Sequence, residues 1–176
     1  MLFRSDSKYG YSLDGSLLRA TLIRSSYEPD LIPEVGNHTI RFAAMPHGAR
    51  PATADLIRMG AAFNHPLQVV ATDVHKGKLK PAALGMTMAA NNVILTSIKK
   101  AEGENAFIFH LQETAGKATL AQMSLSQTLL GHVKEAVEVN LLEQPLAKSS
   151  ASKTADGLSV HIPGYGIAAV KVMFDK

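Results

Sequence analysis

Asn92-Val93-Ile94-Leu95-Thr96-Ser97-Ile98-Lys99-Lys100 and Ala106-Phe107-Ile108-Phe109-His110-Leu111-Gln112 are two apolar, β-rich runs separated by Glu102-Gly103-Glu104-Asn105. Runs of this kind flanking a short polar segment with glycine read as an antiparallel hairpin. Two-residue periodicity puts Phe107, Phe109 and Leu111 on one face of the returning strand. A turn at Ala115-Gly116-Lys117 leads into residues 118–125 and extends the hairpin to a meander. Near the C-terminus, strands over 158–162 and 167–174 flank the turn Pro163-Gly164-Tyr165-Gly166. Turn signals recurring between short alternating segments predict an all-β, antiparallel β-sandwich rather than βαβ units.

Upstream, Asp14-Gly15 is a two-residue hairpin signal, because a type I′ turn needs positive φ at both central residues. It joins strands over 9–13 and 16–24, with Leu18, Ala20 and Leu22 on one face. A loop follows over 26–36, then a strand over 40–44 in which Ile40, Phe42 and Ala44 alternate with polar or smaller neighbours. One segment departs from period two. Over 53–64, Leu56, Met59, Gly60 and Phe63 fall at i, i+3, i+4 and i+7, which predicts one short crossover helix packed on a sheet. His65-Pro66 stops it, since a residue before proline is pushed out of the α region. Residues 126–143 fit two periods: Val133, Ala136, Val137 and Leu141 suit a helix, whereas Val137, Val139 and Leu141 alternate. The small polar residues of 147–157 bury too little area to offset ordering entropy and predict a mobile loop.

A chain of 176 residues suggests one domain over 1–176, able to bury about 70% of the surface its unfolded form exposes. There is no cysteine, so no disulfide or thiolate-zinc site forms, which fits a reducing compartment. Eighteen Lys and Arg against fifteen Asp and Glu leave +3, a weak field that argues against a nucleic-acid partner despite a pI near 9.2. The basic stripe Lys76-Gly77-Lys78-Leu79-Lys80 reads as a solvated edge strand, where lysines block edge-to-edge pairing. The first residues lack an apolar leader, and no run reaches the roughly 18 apolar residues of a membrane span. A soluble, cytoplasmic protein without membrane contact is the expectation.

Ser5-Asp6-Ser7-Lys8-Tyr9-Gly10-Tyr11, followed by Gly36-Asn37-His38, Met45-Pro46-His47-Gly48 and Asn64-His65-Pro66-Leu67, then Ser97-Ile98-Lys99-Lys100-Ala101-Glu102 and Val139-Asn140-Leu141-Leu142-Glu143, resembles the C-terminal β-domain of class II α-mannosidases, glycoside hydrolase family 38. The family's first stretch usually begins Asn-Asp-Ser-Lys-Tyr-Gly-Tyr, and this chain differs at Ser5. Its loop Pro-Asp-Pro-Glu-Ala-Asp-x-Gly becomes Pro29-Asp30-Leu31-Ile32-Pro33-Glu34-Val35-Gly36, exchanging charge for aliphatic groups, and its Gly-Glu-His-Glu-Phe becomes Gly36-Asn37-His38-Thr39-Ile40. The resemblance implies a large sandwich of the galactose mutarotase-like kind and a strand from about Val133. It also implies that the chemistry, retaining hydrolysis of α-mannosides with zinc or a similar divalent ion, belongs to a separate catalytic domain whose motifs do not occur here. The chain reads as the tail of such an enzyme, and its expected partner is that catalytic domain or its own oligomer, with an α-mannoside as a further ligand.

The residues themselves agree with a non-catalytic part. A glycosidase needs two carboxyl groups at a set separation, yet Asp14, Glu102, Glu104 and Asp156 fall in turn sequences, and only Glu28, Asp30 and Glu34 share one loop. Asp73-Val74-His75 places two ligand types on one strand face, beside lysines that oppose a cation. No catalytic residue, metal ligand set or cofactor is expected in this chain. The best candidate cluster is Asp6, Lys8, Tyr9 and Arg24, a mixed set of donors and acceptors suited to sugar hydroxyls or to docking another domain. A hairpin continued to residue 24 returns Arg24 beside Asp6 and Lys8, and the resemblance implies that arginines in this region approach substrate. His47, following Pro46 at a strand end, completes the set. Two other readings stand beside the first: a free-standing carbohydrate-binding module, disfavoured by the lack of Trp, and a structural fragment without activity.

Overall fold

The structure is a computed structural model, and it describes every residue except Met1, Lys8, Ser26, Asp30, Pro33, Lys78 and Lys176. The chain divides into two compact units, one formed by Met1–Pro51 with Met59–Leu67 and the other by Ala52–Arg58 with Gln68–Lys176.

The first unit contains two small antiparallel pairs. β1 (Leu2–Ser5) pairs with β4 (Phe42–Met45), and β2 (Tyr11–Asp14) pairs with β3 (Leu17–Ala20). The hairpin turn is one residue later than the sequence suggests. Asp14 pairs with Leu17, so Gly15 and Ser16 form the loop. Gly15 has φ +57, the positive φ that a type II′ turn requires at its first central position. β3 ends at Ala20, after which only Thr21 N–H still reaches across, to the Gly10 carbonyl at 2.8 Å. β1 was not legible as a strand, because its four residues are too few to show a period.

α1 (Thr53–Asn64) occupies the predicted helical segment and begins in the second unit. The predicted face is the partly buried one: Leu56, Met59, Gly60 and Phe63 are half-buried, while Ala54 is fully so. Arg58 ties the start of the helix to the second unit by donating to the carbonyls of Asn91 at 2.9 Å and Val93 at 3.0 Å.

The second unit is an antiparallel β-sandwich. One sheet has the order β10 (Ser152–Thr154), β11 (Gly157–Ile162), β8 (Thr119–Leu125), β5 (Met86–Met88). The other has the order β6 (Val93–Lys100), β7 (Ala106–Glu113), β12 (Ile167–Phe174), β9 (Val133–Val139). Phe109, Leu111, Val170 and Val172 from one sheet meet Ala121, Met123, Leu158, Val160 and Ile162 from the other in a single buried cluster. A smaller cluster of Ala101, Ala106, Ile108, Val139 and Ala169 lies outside that core. Phe107 shares a face with Phe109 but sits at the rim, edge-on to Phe174 with ring centroids 6.1 Å apart. α2 (Gln127–Leu130) is a single turn before β9, so the ambiguous stretch 126–143 resolves into a short helix and then the strand from Val133.

Two local expectations are corrected. The segment 147–157 is not a free loop: Ser152–Thr154 is an edge strand paired with β11, and the Ser150 hydroxyl donates to Glu138 Oε2 at 2.9 Å. Short hydroxyl side chains that add little buried area still supply hydrogen bonds, and backbone pairing does not depend on apolar content. The lysine stripe is not a strand either. The described residues of 76–80 lie in coil, and Lys78 is outside the described residues.

Candidate functional site

Asp6 stands one residue beyond β1 and Arg41 one residue before β4, so the antiparallel register that pairs Ser5 with Phe42 carries on to join them. Arg41 Nε donates to Asp6 Oδ2 at 2.7 Å and Arg41 N–H to Oδ1 at 3.1 Å, while Asp6 N–H donates to the Arg41 carbonyl at 3.3 Å. The Arg41 side-chain hydrogen bond, reinforced by its backbone N–H, holds the Asp6 carboxyl below the usual carboxylate range. Arg24 lies in exposed coil past the end of β3, and no hydrogen bond or ion pair joins it to Asp6. The partner of Asp6 is thus an arginine thirty-five positions along the chain. Tyr9 is 84% exposed. His47 Nδ1–H donates to the Ala49 carbonyl at 3.0 Å. Lys8 lies outside the described residues.

In the second unit the sequence hid two acidic centres. Glu113, at the end of β7, is fully buried. Its carboxylate accepts five hydrogen bonds: Asn92 Nδ2 (2.7 Å), Ala115 N–H (2.7 Å), Gly116 N–H (2.8 Å), Lys117 N–H (3.2 Å) and Tyr165 N–H (2.8 Å). Burial alone raises its pKa, but the N–H donors of Tyr165, Ala115, Asn92 and Gly116 outweigh it and leave the value at about 2. The signal for this was strand parity: the alternation that buries Phe109 and Leu111 buries Glu113 as well, and a buried carboxylate requires donors.

The second centre joins two of the quoted motifs. Glu143 Oε1 is ion-paired with Lys99 Nζ, and its Oε2 accepts the Glu102 N–H at 2.9 Å. The Lys99 hydrogen bond, then the Glu102 N–H, lower the Glu143 pKa against the effect of burial. Beside them Lys171, whose side chain is 8% exposed, donates to Glu104 at 2.9 Å. With Leu141, Leu142, Gln144 and Pro145 these groups line a hollow of about 450 Å³.

The chemistry open to these acids is limited. A glycosidase of either type needs a carboxylic acid kept protonated by a raised pKa beside its second carboxylate. Asp6, Glu113 and Glu143 are all shifted the other way, each by donors that stabilise the anion. Glu28 and Glu34 stay in one loop, while Asp30 is outside the described residues. Asp73 and His75 are exposed in coil rather than aligned on a strand, and no three His, Asp or Glu side chains converge as metal ligands among the described residues.

The hairpin, the meander, β9 and most of the final pair fall within residues 92–170, which match the family described as glycosyl hydrolases family 38 C-terminal beta sandwich domain. Residues 92–170 belong to that family. The chain is 27% identical over 164 residues to alpha-mannosidase G of Dictyostelium discoideum, covering 92% of this chain and 15% of the relative. It is 29% identical over 144 residues to alpha-mannosidase 2C1 of Homo sapiens, covering 80% and 13%. It is 30% identical over 166 residues to alpha-mannosidase of Saccharomyces cerevisiae, covering 82% and 14%. The chain thus spans about one seventh of the length of the curated relatives it matches. No helix among the described residues is long and apolar enough to cross a membrane.

Proposed function

We propose that this chain serves as the C-terminal, non-catalytic β-sandwich of a cytoplasmic α-mannosidase, packing against a catalytic module that hydrolyses α-mannosides. The observation that carries this reading is the disposition of its acids. The carboxylates that the fold holds most firmly, Glu113 and Glu143, are bound to backbone N–H groups and a lysine that brace the sandwich, and neither is set up to give a proton to a leaving group. Zinc or a similar divalent ion, with the nucleophile and acid, belongs on this reading to the catalytic module.

The first unit supplies the apolar surface such an association needs. Leu13, Leu17, Leu22, Ile23, Tyr27 and Ile32 are exposed there, and two-stranded pairs of this size are marginal without further cover. Of the set Asp6, Lys8, Tyr9, Arg24 and His47, Arg24 presents an exposed guanidinium with no hydrogen bond or ion pair among the described residues, available to a docking carboxylate or to sugar hydroxyls. Co-expression with a family 38 catalytic module tests the reading. Co-purification of the two, with α-mannosidase activity in the complex and none in the isolated chain, is the expected result. Failure of the two to associate would overturn it.

A further inference from the structure

Leu141 and Leu142 are 83% and 77% exposed, yet the loop carrying them is tied by hydrogen bonds between Asn140 and the residues from Leu142 to Gln144. Asn140 N–H donates to the Gln144 carbonyl and Glu143 N–H to the Asn140 carbonyl, both at 2.9 Å. Asn140 Oδ1 accepts the N–H groups of Leu142 at 2.9 Å and Gln144 at 3.0 Å. Glu143 takes a left-handed φ of 63°, a conformation unfavourable for a residue with a side chain and kept only where surroundings over-determine it. Here the Lys99 ammonium and the Glu102 N–H do so. Two large apolar side chains are thus held out in water on a segment that has already lost its freedom.

We propose that the Leu141–Leu142 tip anchors this sandwich onto the remainder of an α-mannosidase chain, entering an apolar groove flanked by a basic side chain. The inference rests on the functional reading above. A preordered tip leaves little entropy to lose on binding, which is where rigid apolar anchors gain affinity. An apolar centre with a charged rim is also the usual anatomy of an interface. The adjoining hollow of about 450 Å³ is lined by Lys99 and Lys171 against Glu102, Glu104 and Glu143, a net single negative charge. The Glu102 carboxylate carries no ion pair among the described residues, so a partner's Arg or Lys finds an acceptor there. A second copy of this chain fits less well, because a two-fold contact brings two rims of the same net sign together. The relatives carry more than four-fifths of their length outside the matched region, ample chain to supply the groove.

The test uses the full chain co-expressed with the yeast relative's chain lacking its matching segment, and reads affinity from the purified components. Leu141→Asp combined with Leu142→Asp should weaken association at least tenfold, and Glu102→Lys should weaken it severalfold and reduce its salt dependence. Leu84→Asp, at a residue of the second unit that is 76% exposed and does not line the hollow, should leave it unchanged. Melting curves of each variant check the fold, and the milder Leu141→Ser with Leu142→Ser repeats the comparison if the aspartates unfold it. Wild-type binding with equal binding by the folded leucine variants would overturn the anchor while leaving the functional reading intact. Absence of wild-type binding would overturn both. A wild-type dimer in sedimentation that the leucine variants dissociate would reassign the tip to self-association and overturn the proposed partner.

Discussion

The carboxylate of Glu113 accepts the backbone N–H of Tyr165 at 2.8 Å across fifty-two positions of sequence. The same carboxylate collects the N–H groups of Ala115, Gly116 and Lys117, so one buried acid closes two turns at one end of the sandwich. Tyr165 itself has φ 56, and in that turn its N–H meets Glu113 while the Gly166 N–H donates to the Pro163 carbonyl at 2.8 Å.

Acid should loosen this staple in a defined window. The folded pKa of Glu113 is about 2, below its ordinary 4.5. A depressed folded pKa contributes stability that is complete above the unfolded value and is lost as pH falls through the folded one. Stability should therefore decline from about pH 4.5 toward pH 2. Asp6 and Glu143 are displaced in the same direction, so the assignment requires Glu113→Gln. This variant should melt lower than wild type at pH 7, because its amide places a donor against backbone donors, and should show a shallower acid slope. Melting midpoints from pH 7 to pH 2 supply the comparison, and parallel curves for the two proteins would contradict the role given to Glu113.

Lys99 and Glu143 should behave as a coupled pair. Lys99→Met strips Glu143 of its cation, and Glu143→Gln strips Lys99 of its anion while weakening the tie to Glu102. In a double-mutant cycle the combined variant should lose less than the sum of the singles. Strict additivity of the melting shifts would mean that the two motifs meet without energetic consequence.

Gly157 admits no side chain. A Cβ there would lie 2.1 Å from the Met123 carbonyl oxygen, a backbone atom of the neighbouring strand that cannot turn aside. Gly157→Ala should destabilise by about 1–3 kcal/mol, the usual range for overpacking, read as a drop in melting temperature of roughly 3–10 °C.

Much of the sandwich was legible because its strands are short apolar runs bounded by turn signals. β8 and β11 bury apolar residues at alternate positions, Ala121, Met123 and Leu125 in one and Leu158, Val160 and Ile162 in the other, β7 and β12 are apolar on both faces, and Pro163-Gly164-Tyr165-Gly166 turns the chain where glycine and proline indicate. The edge strand β10 was not legible, since Ser152-Lys153-Thr154 has neither apolar content nor length, and its pairing depends on the partner strand. The Asp6–Arg41 pair was equally hidden: it follows from the β1–β4 register, and β1 shows no period of its own. Glu113 lay within reach of the parity argument, whereas its Tyr165 partner required knowledge of which turns share an end of the sandwich.

Backbone protection should follow the division of the chain. Hydrogen exchange ought to be slowest in β7, β8, β11 and β12, whose residues form the main core, and fast in the β2–β3 hairpin, where Tyr11–Asp14 is exposed along its length. Local opening free energy falls where few apolar contacts cover the backbone. Equal protection in the hairpin and the core strands of the isolated chain would show that the first unit is stabilised by more than these pairings.

The most direct test of the account is turnover of an aryl α-mannoside by three samples: this chain alone, a family 38 catalytic module alone, and the two together, each with and without added zinc. The account predicts no activity from the chain by itself and more activity from the mixture than from the module. Turnover by the chain alone that survives repurification and disappears on replacing one of its own acids, such as Glu102 or Glu143, would contradict it.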